Sequence, residues 1–191
     1  MKINLVLLAS GFSRRFEGNK LLTEFKGKPI INYIIDTVKD LNFNKILLVT
    51  QYKELLNISN NIDVVINSVA KEGISSSIKI GVKSSYDVDA IMFLVCDMPF
   101  ISRKTISEMC VAFENTDKNI LSASHNNILI NPNIFSKKYF EKLLTLTGDK
   151  GGKGIINSNL NDVEVYNIDN LIEVFDIDKK EDLDYLVALE K

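Results

Sequence analysis

Five apolar, β-rich runs recur along the chain, at Ile3 to Ala9, Lys45 to Thr50, Ile62 to Ile66, Ala90 to Val95 and Ile120 to Ala123. Most are separated by segments with helical spacing, which limits the fold more than any other feature. Buried runs joined by helical crossovers make an α/β architecture, a mostly parallel sheet covered by helices. The segment after Pro29 shows the logic: Ile30, Ile31, Ile34, Ile35, Val38 and Leu41 fall on one stripe, and proline suits a first helical turn. At 191 residues and 46% hydrophobic, the chain is long enough for one sizeable core and short for two, so 1–191 reads as a single domain.

After Ile128 the pattern loosens. Asn131-Pro132-Asn133 reads as a turn, Ser136 to Leu146 as an amphipathic segment, and Gly148 to Gly154 as a glycine-rich loop; a short strand near Val174-Phe175 then leads to a helix from about Lys179 to the end. This irregular part is the place for an acceptor site beside the sheet. In open α/β sheets ligands bind beyond the carboxyl ends of the strands, which directs attention to the loops after Ala9, Thr50, Ile66 and Val95.

Charge narrows the partners. Lys and Arg number 23 against 25 Asp and Glu, a formal charge of -2 with no block of like charges, which disfavours a nucleic-acid footprint or a polybasic membrane patch. The apolar run at Ile3 is too short for a membrane span and reads as a buried strand rather than a signal peptide. Cys96 and Cys110 form no CxxC pair, so a disulfide framework or zinc site has little support and a reducing cytosol fits best.

The loop after the first run, Leu8-Ala9-Ser10-Gly11-Phe12-Ser13-Arg14-Arg15-Phe16-Glu17-Gly18-Asn19-Lys20, gathers glycines, small hydroxyls and cations. Small residues let backbone N–H groups approach phosphate oxygens, and Arg and Lys supply the counter-charge. It is neither GxGxxG nor GxxxxGK[ST], and the alternative is a surface turn with solvated cations.

The stretch resembles the L-A-A-G-x-S-x-R-M-G-x-x-K signature of the molybdenum cofactor cytidylyltransferases and related MobA-like nucleotidyltransferases. Leu8, Ala9, Gly11, Ser13, Arg15 and Lys20 match it, as does the following Gly27-Lys28-Pro29; Ser10 replaces alanine, Phe16 methionine and Glu17 glycine. The resemblance implies a Rossmann-like three-layer nucleotidyltransferase fold. It also implies a nucleotide site formed by Leu8, Ala9, Ser10, Gly11, Ser13, Arg15 and Lys20, with Arg15 and Lys20 neutralising the NTP phosphates and the departing pyrophosphate. Glu17 is unexpected there, because a carboxylate beside triphosphate repels it unless it points outward.

Cys96-Asp97-Met98-Pro99 resembles the family's G-D-M-P, which implies that Asp97 is a catalytic Mg²⁺ ligand. A carboxylate at a strand's end can hold magnesium against phosphate oxygens, and a turn aspartate is the alternative. Cys96 reads as a small buried residue. Asn67 and Lys71-Glu72-Gly73-Ile74-Ser75-Ser76-Ser77 resemble N-P…G-x-S-S-S-L, which implies base and ribose contacts from Asn67, Ser76 and Ser77, with one serine serving as a helix N-cap.

Gly148-Asp149-Lys150-Gly151-Gly152-Lys153 resembles G-D-K-G-A-R, implying that Asp149, Lys150 and Lys153 bind the acceptor. Lysine at 153 in place of arginine keeps the charge and loses the bidentate fork. Asn131-Pro132 matches an N-P or H-P element, with Ile130 in place of its usual glycine. Asp176-Ile177-Asp178 with Glu181 resembles D-I-D-T-P-E-D-L: Asp178 and Glu181 read first as a capping pair, with Asp178 as a second metal ligand the alternative. His125 beside Asn126 and Asn127 reads as an exposed loop residue.

The activity implied is transfer of CMP from CTP to a molybdopterin-type phosphate, with a molybdenum hydroxylase apo-enzyme as a possible partner. GTP-dependent transfer, transfer to a sugar phosphate, and non-catalytic carriage of the finished cofactor are the rivals.

Overall fold

The computed structural model describes residues 1–189 except Arg14, Glu17, Ser59 and Asn60, with Leu189 described in its backbone alone; the Glu17 departure therefore lies outside the described residues. The strands are β1 (Ile3–Ala9), β2 (Glu24–Phe25), β3 (Lys28–Pro29), β4 (Lys45–Thr50), β5 (Asp63–Ile66), β6 (Ala90–Val95), β7 (Ile120–His125), β8 (Ile128–Ser136) and β9 (Val163–Asn167). The helices are α1 (Ile30–Val38), α2 (Ile74–Lys83), α3 (Arg103–Asn115), α4 (Phe140–Leu144), α5 (Lys153–Asn157) and α6 (Lys180–Leu189). β2 and β3 form a small hairpin, and the other strands make a seven-stranded sheet in the order β5-β4-β1-β6-β8-β7-β9.

β1 lies inside the sheet, parallel to β4 (Ala9 opposite Thr50) and to β6 (Leu8 opposite Val95). Its side chains alternate between the two faces, as a strand's period of two requires. Leu5, Leu7 and Ala9 join the core built with Ile31, Ile34 and Val38 of α1 and Ile106, Met109 and Phe113 of α3. Val6 joins the opposite core with Ile78 and Val82 of α2, Phe140 of α4 and Ile156 of α5. The result is the expected three-layer α/β fold. Because β1, β4, β5 and β6 are mutually parallel, the loops that follow them open on one edge. No described helix is long and apolar enough to cross a membrane.

The amino half follows the expected boundaries closely. Pro29 differs slightly: it is the extended N-cap of α1 (φ -54°, ψ 141°), and the helix starts at Ile30. Leu41 packs on the core only partly buried, while the rest of the stripe is fully buried.

The carboxyl half departs more. Asn131-Pro132-Asn133 is no turn but the middle of β8, where the pairing shifts from Ser122–Asn133 to Ala123–Ile130 and leaves Asn131 and Pro132 as a bulge. A bulge admits a residue without an N–H, so proline inside a strand misled the reading. The true turn is Asn126-Asn127, both at positive φ (49° and 62°), as a tight two-residue hairpin demands. His125 accordingly ends β7, half-buried, with Nδ1 2.7 Å from the Ile168 carbonyl, and is not an exposed loop residue. The segment at Val174 is a 3-10 turn (Leu171–Val174), and the last strand is β9, parallel to β7.

Candidate active site

Beyond the end of β1 the chain turns at Ser13, which adopts positive φ (49°) and whose carbonyl accepts the Phe16 N–H at 2.9 Å. Phe16 and Leu21, 1% and 4% exposed, anchor the loop in the interior on either side of Lys20. Asn19 caps the 3-10 turn Lys20–Leu22, accepting the Leu21 N–H at 3.2 Å. The turn thereby aims the Lys20 ammonium inward: it donates to Asp97 Oδ2 at 2.7 Å and to the Ile177 carbonyl at 2.8 Å, with Asp178 Oδ1 3.6 Å away.

Asp97 follows β6, and its own carbonyl accepts the Ile177 N–H at 2.9 Å, which ties the Asp176-Ile177-Asp178 segment to the sheet edge. Its Oδ1 is buried without a hydrogen-bond partner. Arg15 reaches Asp178 Oδ2 at 2.8 Å; being three-quarters exposed, this pair adds little stability.

Asp176 is a motif residue to which the sequence alone assigns no role. Burial of its carboxyl end, followed by the nearby Asp97 and Asp178 carboxylates, raises it to about 7, although the residue as a whole keeps exposed surface.

The helix-cap reading of Asp178 fails. Asp182, not Glu181, reaches back to accept the Asp178 and Lys179 N–H groups (2.7 and 2.9 Å), and the Asp178 side chain turns to Arg15 and Lys20 instead.

Arg15, Lys20, Asp97 and Asp178 line a cleft of about 360 Å³ together with Leu8, Ala9, Ser10, Gly11, Ser13, Ser77 and Asp149. Among the described residues no three or more His, Cys, Asp or Glu side chains are grouped to hold a metal by themselves. Magnesium commonly takes only one or two protein carboxylates, completing its shell with phosphate and water. Hard oxygen donors at Asp97 and Asp178, and the unpartnered Asp97 Oδ1, fit that chemistry.

The wall beyond is more structural than expected. Asn67 Nδ2 donates to Ser76 Oγ at 2.8 Å and to Ser77 Oγ at 2.9 Å, while its Oδ1 accepts the Val69 N–H. Ser77 reaches the cleft lining, whereas Asn67 and Ser76 lie behind it. No serine caps α2: the N-cap is Gly73, at φ 89°, where a Cβ would stand 2.4 Å from the Gly148 carbonyl carbon. Only glycine allows that approach, which lets the Ser75 N–H bind the Gly148 carbonyl (3.2 Å) and brings Asp149 to the cleft. Lys150 and Lys153 are exposed and not part of the lining.

Cys96 is 1% exposed, and burial pushes its thiol up, so it is the inert residue expected. Gln51 and Tyr52, which hydrogen-bond the first loop, were not singled out from the sequence; only their place just past Thr50 signals them.

Residues 5–163 match the family described as MobA-like NTP transferase domain. The bifunctional protein GlmU of Buchnera aphidicola subsp. Schizaphis graminum is 34% identical over 128 residues, 64% of this chain but 28% of that protein. A probable molybdenum cofactor guanylyltransferase of Pyrococcus horikoshii is 28% identical over 120 residues, 62% of this chain and 60% of that protein. The chain thus spans less than two thirds of either relative's length. In fold, Rv0371c from Mycobacterium tuberculosis H37Rv superposes with a TM-score of 0.85 at 21% identity, covering 100% of this chain and 98% of that one. Its complex with manganese superposes with a TM-score of 0.82 at 19% identity over 98% and 99%.

Proposed function

Because the chain belongs to the MobA-like NTP transferase family and is a nucleotidyltransferase, we propose that it transfers CMP from CTP to the phosphate of a molybdopterin-type acceptor and releases pyrophosphate. The carrying observation is the convergence of Arg15, Lys20, Asp97 and Asp178 with the glycine-containing loop in one cleft at the carboxyl edge of the sheet.

In the proposed reaction an acceptor phosphate oxygen attacks the α-phosphorus as the bond to the bridging oxygen of the β-phosphate breaks. Lys20 and Arg15 exchange their carboxylate partners for phosphate oxygens and offset the charge on pyrophosphate as it leaves. The manganese complex of Rv0371c supports a divalent metal here. Magnesium held by Asp97 and Asp178 would supply further neutralisation of phosphate charge. Leu8, Ala9, Ser10, Gly11 and Ser13 line the nucleotide side with Ser77. Asn67 and Ser76 support it from behind. Asp149 faces the acceptor, with Lys150 and Lys153 on its approach.

The CTP preference rests on Ser10, whose hydroxyl donates to the Val49 carbonyl (3.1 Å) and whose Cβ takes up space at the lining that glycine would leave to a purine. A second reading, GTP as donor, is favoured by the name of the Pyrococcus relative. Transfer fits the paired cations and carboxylates better than pure carriage does, and a molybdenum hydroxylase apo-enzyme would receive the product. The reading includes a reducing cytosol, in keeping with two free cysteines.

The test is pyrophosphate release from CTP, GTP, ATP and UTP, each with molybdopterin or a sugar phosphate. Release with CTP and molybdopterin supports the reading; release only with sugar phosphate overturns the acceptor, and release only with GTP overturns the donor.

A further inference from the structure

Three consecutive side chains, starting at the last residue of β4, donate in step to three consecutive carbonyls, starting at the last residue of β1. Thr50 Oγ1 donates to the Ala9 carbonyl at 3.1 Å, Gln51 Nε2 to Ser10 at 2.8 Å and the Tyr52 hydroxyl to Gly11 at 2.5 Å. The Tyr52 N–H in turn binds Thr50 Oγ1 at 3.1 Å, fixing the start of that segment. Ala9 and Thr50 are the last register partners of the β1–β4 ladder, so this series extends the parallel pairing after the backbone ladder has ended.

Such side-chain pairing controls where the amides point. Among the described residues the sole cis peptide is Asn131–Pro132, so the Ser10–Gly11 and Gly11–Phe12 peptides are trans. In a trans peptide the carbonyl and the following N–H point in opposite directions. Drawing the Ser10 and Gly11 carbonyls to Gln51 and Tyr52 therefore turns the N–H groups of Gly11 and Phe12 away from β4, at two residues that line the cleft. Successive N–H groups facing one way make an anion-binding concavity. Gln51 and Tyr52 themselves do not line the cleft. Burial, with Glu54 nearby, raises the Tyr52 phenol, which keeps the hydroxyl protonated and a donor.

We infer that Gln51 and Tyr52 are positioning residues that hold the Ser10–Phe12 backbone as a preformed polyphosphate cradle. The inference rests on the reading of the cleft as an NTP site and deepens it: recognition of the polyphosphate is set by two side chains that act through the loop they hold.

Inorganic tripolyphosphate is the probe, because its binding is independent of base and acceptor. Tyr52→Phe and Gln51→Leu should each raise its dissociation constant about 2- to 12-fold, the net worth of one hydrogen bond. The double variant should lose more than either, the unliganded melting temperature should stay close to wild type, and in turnover the KM for NTP should rise while that for acceptor holds. Wild-type tripolyphosphate affinity in the double variant overturns the inference. So does a fall in unliganded melting temperature that accounts for the loss, or a wild-type protein that binds no tripolyphosphate. If tripolyphosphate binds and responds as expected but no CMP is transferred, the proposed reaction fails and the cradle stands.

Discussion

In the parallel half of the sheet, β5-β4-β1-β6, the polar groups at the strand ends turn toward one another across a shared cleft: Lys20 meets Asp97 and Asp178, and Arg15 meets Asp178. In the mixed half, β8-β7-β9, where β8 alone runs against its neighbours, they secure strands instead. Asp162 at the start of β9 takes hydrogen bonds from Lys138 (2.7 Å), Tyr139 (2.9 Å) and the Asn119 backbone (3.1 Å), and Lys138 first among these holds its carboxyl well below the usual carboxylate range. The difference follows from which strand end carries the charges: Lys20 and Asp97 come after the carboxyl ends of β1 and β6, which parallel strands deliver to one edge, whereas Asp162 precedes β9, at the amino end of a strand that runs the same way. On the proposed reading, reaction chemistry belongs to the first half, and the second half shapes what approaches it.

If that division holds, Asp97→Asn should be the most damaging single change to turnover. The amide keeps the shape and removes the charge that faces Lys20, so a loss of at least about 10²-fold is expected, the size seen on removing one electrostatic stabiliser. Circular dichroism and the melting curve should remain close to wild type. Near-normal turnover would take Asp97 out of the reaction and break the comparison at its stronger end.

Beyond the β6–β8 pairing, the two halves also meet where Gly73, before α2, packs on Gly148. Gly73→Ala places a Cβ 2.4 Å from backbone at a φ of 89°, so it should destabilise by more than about 1 kcal/mol, the range for alanine forced to positive φ. Because the displaced neighbour is the Asp149 loop, the KM for acceptor should rise more than the KM for NTP. A rise confined to NTP would show that this loop serves the nucleotide.

How legible each half was follows the same line. β1, β4 and β6 were readable to the residue because buried parallel strands are continuous apolar runs, with Asp97 two residues past β6 and Lys20 in the loop that follows β1. β9 was missed because Val163-Glu164-Val165-Tyr166-Asn167 is a short edge strand of mixed polarity, and β8 because a bulge hid Pro132 inside it. The role of Asp182 in place of Glu181 was unreadable, since both carboxylates lie within reach of the same helix start. So was the structural use of Asn67 and Ser76, because a motif gives residue types but not which face the hydrogen bonds consume.

A finer test concerns the base. Ser10→Gly removes the side chain that narrows the lining and also its bond to the Val49 carbonyl, and it should shift the preference toward GTP. One group in a pocket discriminates by about 1–3 kcal/mol, or roughly 10- to 200-fold, so wild type should favour CTP clearly but incompletely in equal-concentration competition. Predominant GMP transfer by wild type would transfer the donor assignment to GTP and leave the first half's role as phosphate site untouched.

The smallest expected effect belongs to Lys153, at the start of α5. Its ammonium is exposed and not part of the cleft lining, so it can act on an anionic acceptor only through solvent. Two unit charges about 4 Å apart in water interact by about 1 kcal/mol, which bounds the effect of Lys153→Ala at roughly a 5-fold rise in acceptor KM. Salt should erase most of it, since at about 1 M ionic strength the screening length falls to about 3 Å. The KM for NTP should not move. Lys153→Arg should behave as wild type, because a guanidinium gains its fork only against a positioned partner, and solvent offers none. An acceptor KM that rises more than 10-fold and resists salt would mean that Lys153 is desolvated against the bound acceptor. The mixed half would then grip its substrate as closely as the parallel half is proposed to hold the phosphates.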